Sequence, residues 1–281
     1  MSKVIITADS TCDLSPAQRE QYGILISPLY VRLGDEEYKD GVNIDANKLF
    51  EHVGNGGDLP KTAACSVDDY IALWKPYVDE GCEVVHINIS SDFSSCHQNA
   101  NIAAEELGHV YPVDSRNLST GTGLLALEAA DLAKEGRSGA EIKAILDEKQ
   151  KKLNVSFVLD TMEYMAKGGR CSSMVALAAG LIKLRLGIEV KDGKMGVSKK
   201  YRGKMEPVLR QYITERLDAA GEIELKRVFI THTGVDDETV ASLMELVSSL
   251  RPFTEVLTSH AGCTVCSHCG PKTLGILFFE A

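Results

Sequence analysis

Short β-branched runs alternate along the first half of the chain with longer amphipathic ones. Val4–Ala8, Ile24–Leu33, Glu83–Ile89 and Val110–Asp114 read as strands, with helical segments between and after them. That rhythm predicts βα units around a mostly parallel sheet. The helix starts carry their own signals. Ser15-Pro16-Ala17-Gln18 joins a cap serine to a proline at the first helical position and a glutamine three residues on. Ser66 opens a segment reaching Val78, and Ser138 opens one reaching about Lys152. Gly123–Lys134 is helical and ends at Gly136.

After Asn154 the texture changes. Val155–Asp160 reads as a strand, and a short helix leads to a double glycine at 168–169. Ile188–Val190 and Met195–Ser198 flank Lys191-Asp192-Gly193-Lys194, which predicts a hairpin with an Asp-Gly turn. A helix from about Lys204 to Ala220, a strand at Val228–Thr231 and a helix from Asp236 to Leu250 follow. Strands near Thr254–Leu257 and Gly275–Phe279 close the chain. The shift predicts two domains, 1–153 with a mostly parallel sheet and flanking helices, and 154–281 with a mixed sheet, and a ligand site between them. No repeat and no low-complexity segment interrupts this plan.

Composition narrows the function. The 281 residues are 44% hydrophobic, enough for a real core, and carry a formal charge of −10. That balance argues against broad nucleic-acid binding and against docking on anionic lipid. Lys199, Lys200, Arg202 and Lys204 form one local basic cluster. No run of 18 apolar residues predicts a membrane span. Met1-Ser2-Lys3 leads straight into Val4-Ile5-Ile6 with no signal-peptide core, so the expected location is cytoplasmic and the eight cysteines are expected as thiols.

The richest chemistry lies at Lys167-Gly168-Gly169-Arg170, followed by Cys171-Ser172-Ser173. The glycines allow close backbone approach, and a helix start beside an arginine fork describes an anion site. Asp9-Ser10-Thr11-Cys12-Asp13-Leu14 follows the first strand, where ligands of open α/β sheets collect; turn and cap chemistry explains it equally well. Ile89–Cys96 is a serine-rich loop whose hydroxyls suit either a carboxylate or an N-cap. Ser94 with His97 is a conceivable nucleophilic couple for an acyl hydrolase, but no Gly-x-Ser-x-Gly elbow surrounds it. Cys263, Cys266 and Cys269, with His260 and His268 nearby, have metal-ligand character without the second knuckle of a closed zinc site. His268 stands before a rigid Gly270-Pro271 bend, where it can be charged beside an anion. Phosphate-binding glycine loops of the common nucleotide folds are absent.

In order along the chain, these segments resemble the bacterial DegV family, including the fatty-acid-binding subunits of fatty acid kinase. The resemblance rests on Asp9–Leu14, Asp40-Gly41, Pro60-Lys61-Thr62, Ser90–Ala100, Asp114-Ser115, Lys167–Arg170, Tyr201-Arg202-Gly203 and His268-x-Gly270-Pro271. It implies a lipid-binding protein without a catalytic role of its own, taking a long-chain fatty acid as ligand and needing no cofactor or metal. It further implies a kinase catalytic subunit as partner. By position, Thr62 and Ser94 match carboxylate-binding hydroxyls and Ser95 a neighbouring glycine whose backbone lies close. Arg170 and His268 match basic residues near the head group, and Arg202 a partner-facing arginine. The small apolar run Met174–Leu181 suits a tunnel wall, in keeping with an acyl tunnel in 154–281. Two departures stand out: Thr62-Ala63 replaces Thr-Ser, and Ser94-Ser95-Cys96 replaces Ser-Gly-Thr.

Overall fold

The computed structural model describes residues 3–170 and 184–281. Its strands are β1 (Val4–Asp9), β2 (Ile24–Ser27), β3 (Tyr30–Leu33), β4 (Glu36–Lys39), β5 (Lys61–Ala63), β6 (Glu83–Asn88), β7 (Val110–Asp114), β8 (Leu153–Leu159), β9 (Leu184–Lys191), β10 (Lys194–Arg202), β11 (Ile223–His232), β12 (Glu255–His260) and β13 (Leu274–Glu280). They form a parallel sheet in the order β2-β1-β6-β7, a small antiparallel sheet β4-β3-β5, and a mixed sheet β10-β9-β8-β13-β11-β12. In the mixed sheet β11 and β12 run parallel and the other neighbours antiparallel. The fold is therefore α/β, with a parallel sheet first and a mixed one after it.

The two central parallel strands, β1 and β6, are almost entirely buried, as strands covered on both faces are. The capping boxes at Ser15, Ser66 and Ser138 all form. The hairpin of β9 and β10 turns on Asp192 and Gly193, both at positive φ (50° and 80°), as an Asp-Gly turn demands.

The mixed sheet has two working faces because side chains alternate along each strand. Val228 and Ile230 face the helices Met205–Ala219 and Asp237–Leu250, whereas Phe229 between them joins the core beneath the parallel sheet. The helix Thr120–Lys134 packs against both large sheets. It is apolar nearly all round, from Thr120 to Leu132, because both of its sides are covered.

Two expectations change. Ile24–Leu33 is not one strand: Pro28 lacks an N–H and ends pairing with β1, so β2 and β3 belong to different sheets. The cysteine segment is a helix, Cys263–Cys269, rather than a metal knuckle.

Candidate functional site

Thr62 lies on β5, opposite Val31 of β3. Its Oγ1 is 2.9 Å from Nε2 of His268, which is 206 residues away in sequence. The short helix Cys263–Cys269 brings His268 there. Gly262 offers no side chain to cap this helix, and two carboxylates from the amino-terminal loops replace it. Asp40 accepts the Cys263 and Thr264 N–H groups at 2.7 and 3.1 Å, and Asp13 accepts that of Gly262 at 2.8 Å. Their oxygens satisfy N–H groups that the start of the helix leaves free.

The other end of the helix meets the double-glycine segment. A Cβ on Gly168 would lie 2.5 Å from Nδ1 of His268, and one on Gly270 2.8 Å from the Tyr164 ring. Gly169 takes a φ of +70° that suits glycine. The double glycine thus serves close packing against His268. Arg170 is exposed, and its guanidinium donates back to the Gly168 carbonyl at 2.7 Å.

Thr62, Ser94, Arg170 and His268 line one cavity whose remaining wall is mainly apolar, including Leu29, Ile89, Phe93 and Met165. A second, apolar cavity adjoins it, since Leu118, Val265 and Cys269 line both. The cavities draw their walls from both halves of the chain.

Burial, and after it the charge of Arg170, hold the His268 imidazole down at about 4. It is therefore neutral at neutral pH. The neutral ring has two options. With the proton on Nε2 it donates to Thr62, whose own O–H is then free to donate into the cavity. With the proton on Nδ1 it draws the Thr62 proton to itself. An anion in the cavity selects the first, since only that tautomer offers it the threonine proton. Nδ1 is buried and has no hydrogen-bond partner among the described residues.

The Ser94 hydroxyl accepts the Cys96 N–H at 3.3 Å and donates to the Cys96 sulfur at 3.1 Å. His97 does not reach it: Nδ1 lies 3.1 Å from Oδ1 of Asn88. The Ser94–His97 couple is thus not formed. Ser95 is exposed and lines neither cavity. Its φ of −77° is open to any residue, so the loss of glycine there carries no strain. Arg202 ends β10 on the exposed edge of the mixed sheet, also outside both cavities.

Cys263, Cys266 and Cys269 are buried, and burial raises all three thiols, Cys269 to about 12. Among the described residues they belong to no converging set of metal ligands. Cys171 and the run Met174–Leu181 lie outside the described residues. Sequence reasoning missed Asp13 and Asp40 as helix caps. Both stood in the motifs Asp9–Leu14 and Asp40-Gly41, but the helix that they cap lies more than two hundred residues on.

A cavity that is apolar along most of its wall and polar at one end suits an amphipathic ligand. The chain belongs to the DegV family, described as a family of uncharacterised proteins, whose profile matches residues 3–281. It is 30% identical to a DegV domain-containing protein of Clostridium perfringens, over all of this chain and 99% of that one. Among solved structures it resembles a fatty-acid-binding DegV family protein of Thermus thermophilus, with a TM-score of 0.89 and 29% identity over 99% of this chain and 100% of that one. It also resembles a stearic acid-binding protein of Eubacterium ventriosum, with a TM-score of 0.86 and 25% identity over 100% of this chain and 98% of that one. No helix among the described residues is long and apolar enough to cross a membrane.

Proposed function

We propose that this chain binds a long-chain fatty acid and presents its carboxylate to a separate ATP-dependent kinase for acyl-phosphate formation. The observation that carries the binding half is the Thr62–His268 pair, 2.9 Å apart at the polar end of an apolar cavity. The resemblance to fatty-acid-binding proteins supports it.

In this reading Thr62 and Ser94 donate hydroxyl protons to the carboxylate, and neutral His268 orients Thr62. Arg170 supplies the charge at the rim. Ser95 adds its backbone at most, and Ala63 supplies no hydroxyl where the family pattern has one. The tail occupies the apolar cavities, with 154–281 as the domain carrying most of the tunnel. Burial of methylenes at about 0.8 kcal/mol each dominates affinity, and the polar end fixes orientation. The protein works in the cytoplasm without a cofactor or a catalytic residue of its own. Arg202 faces the kinase.

Phosphorylation adds negative charge at the carboxylate, which Arg170 offsets and a newly protonated His268 joins. Arg170→Ala and His268→Ala are expected to impair acyl-phosphate formation more than fatty-acid retention in a reconstituted kinase assay. Turnover equal to the unaltered protein's would refute that role.

A further inference from the structure

The first cavity leads to the second past three side chains. Leu118, Val265 and Cys269 line both cavities, and all three are buried. Leu118 precedes the helix Thr120–Lys134, whereas Val265 and Cys269 stand four residues apart on the helix Cys263–Cys269. That spacing puts the last two on one helical face. The same helix carries His268, whose ring meets Thr62 in the first cavity. Burial raises the Cys269 thiol to about 12, so it keeps its proton and puts no charge at the passage.

Beyond these side chains the wall comes largely from β8, β11 and β13. It is rich in hydroxyl residues, but their hydroxyls are already engaged. Ser119 donates to Asp13 at 2.6 Å, Thr233 to the Gly270 carbonyl at 2.6 Å and Thr273 to the Cys269 carbonyl at 2.9 Å. Ser156 pairs with the Tyr212 hydroxyl at 2.8 Å, and Thr231 with that of Thr120. Nδ1 of His232 accepts the Val235 N–H at 3.2 Å. Burial, and after it the charge of His260, hold this imidazole down at about 4, so it is neutral at neutral pH. A carboxylate placed here would find no cation and no uncommitted hydroxyl proton among these groups, whereas hydrocarbon asks for neither. The second cavity therefore suits the far end of a tail whose head lies at Thr62 and Ser94.

We propose that Leu118, Val265 and Cys269 form a collar through which the acyl tail enters the second cavity, and that these side chains set the length of fatty acid the protein accepts. The collar has this role only if the first cavity takes a fatty-acid carboxylate, as proposed. A tail that stops short of the collar leaves the second cavity unused. Each methylene that passes it gains about fourfold in affinity.

The test is a competition titration of the delipidated full-length protein with decanoic, dodecanoic, tetradecanoic and hexadecanoic acids. In the unaltered protein affinity is expected to rise about fourfold per methylene along the series. Val265→Phe puts a ring into the collar and is expected to lower the ratio of hexadecanoic to decanoic acid affinity by roughly tenfold or more. Leu118→Phe narrows the collar from the other half of the chain and is expected to lower the same ratio. Val265→Ala removes bulk at the same position and is expected to keep it. A variant that merely loosens the site weakens both acids and leaves the ratio unchanged. Circular dichroism checks that each variant folds. Folded Val265→Phe and Leu118→Phe proteins with the unaltered ratio overturn the collar, and an unaltered protein that binds none of these acids refutes the fatty-acid reading itself.

Discussion

Thr62 and His268 meet because glycine at 168 leaves room for the imidazole, and their pairing decides what the cavity offers an anion. Burial that holds His268 near 4 makes it a directing base rather than a resident charge. Its imidazole, followed by nuclear magnetic resonance, is expected to titrate near 4 in the lipid-free protein, and a midpoint at the ordinary 6.5 would contradict this. A carboxylate bound beside it favours the charged form, so added fatty acid is expected to raise that midpoint. Gly168→Ala puts a methyl group against Nδ1. Overpacking of that kind costs about 1–3 kcal/mol, so fatty-acid affinity is expected to fall by roughly tenfold in a binding titration. Thr62, Ser94, Arg170 and His268 were legible as motif residues, and they do line one cavity. The protonation of His268 was not legible, because it depends on burial contributed by distant segments. Nor was the harmlessness of Ser95, which depends on its φ.

At the scale of elements, the helix Cys263–Cys269 is the least self-sufficient part of the site. Seven residues do not hold a helix in water without outside help. Asp40 supplies that help by accepting two of its amino-terminal N–H groups. Asp40→Ala is expected to cost about 1–2 kcal/mol, the usual range for a lost cap. It is also expected to release His268 from Thr62, although residue 40 touches neither. A thermal melt reads the first effect and a fatty-acid titration the second; unchanged affinity would show that Asp40 does not position the site. This helix was misleading in the sequence because a cysteine every third position fits both a metal knuckle and one helical face. The sheet β4-β3-β5, which carries Thr62, was equally hard to read. Its strands are three or four residues long, and Pro28 separates β3 from β2 without any loop-like composition.

For the whole molecule, the alternating rhythm before residue 150 and the changed texture after it anticipated the parallel and mixed sheets. What the sequence concealed is how the two sheets are joined. Arg227 of β11 reaches Asp131 at 2.8 Å and the Tyr22 hydroxyl at 2.9 Å, both in the amino-terminal half. Asp13 is a second join, accepting from Ser119 at 2.6 Å and from Gly262. Burial raises its carboxyl from 3.8 to about 8. Between those values the folded chain holds a proton that the unfolded chain has lost, so this group's contribution to stability falls as pH rises towards 8. His232 and His268, both held near 4, slope the other way but only below about 6.5. From pH 6.5 to 8 the melting temperature of the unaltered protein is therefore expected to fall more than that of Asp13→Asn. Asparagine suits the φ of 51° at this position, and its amide can accept from Gly262 and donate to Ser119. Parallel pH profiles would show that Asp13 is charged in the fold.

The central claim is that the cavity holds a fatty acid by its carboxylate. Mass spectrometry of lipid extracted from the natively purified protein tests it most directly. A stoichiometric long-chain fatty acid, strongly depleted in Thr62→Ala, is the expected result. A lipid-free protein that also fails to take up added fatty acid would contradict it.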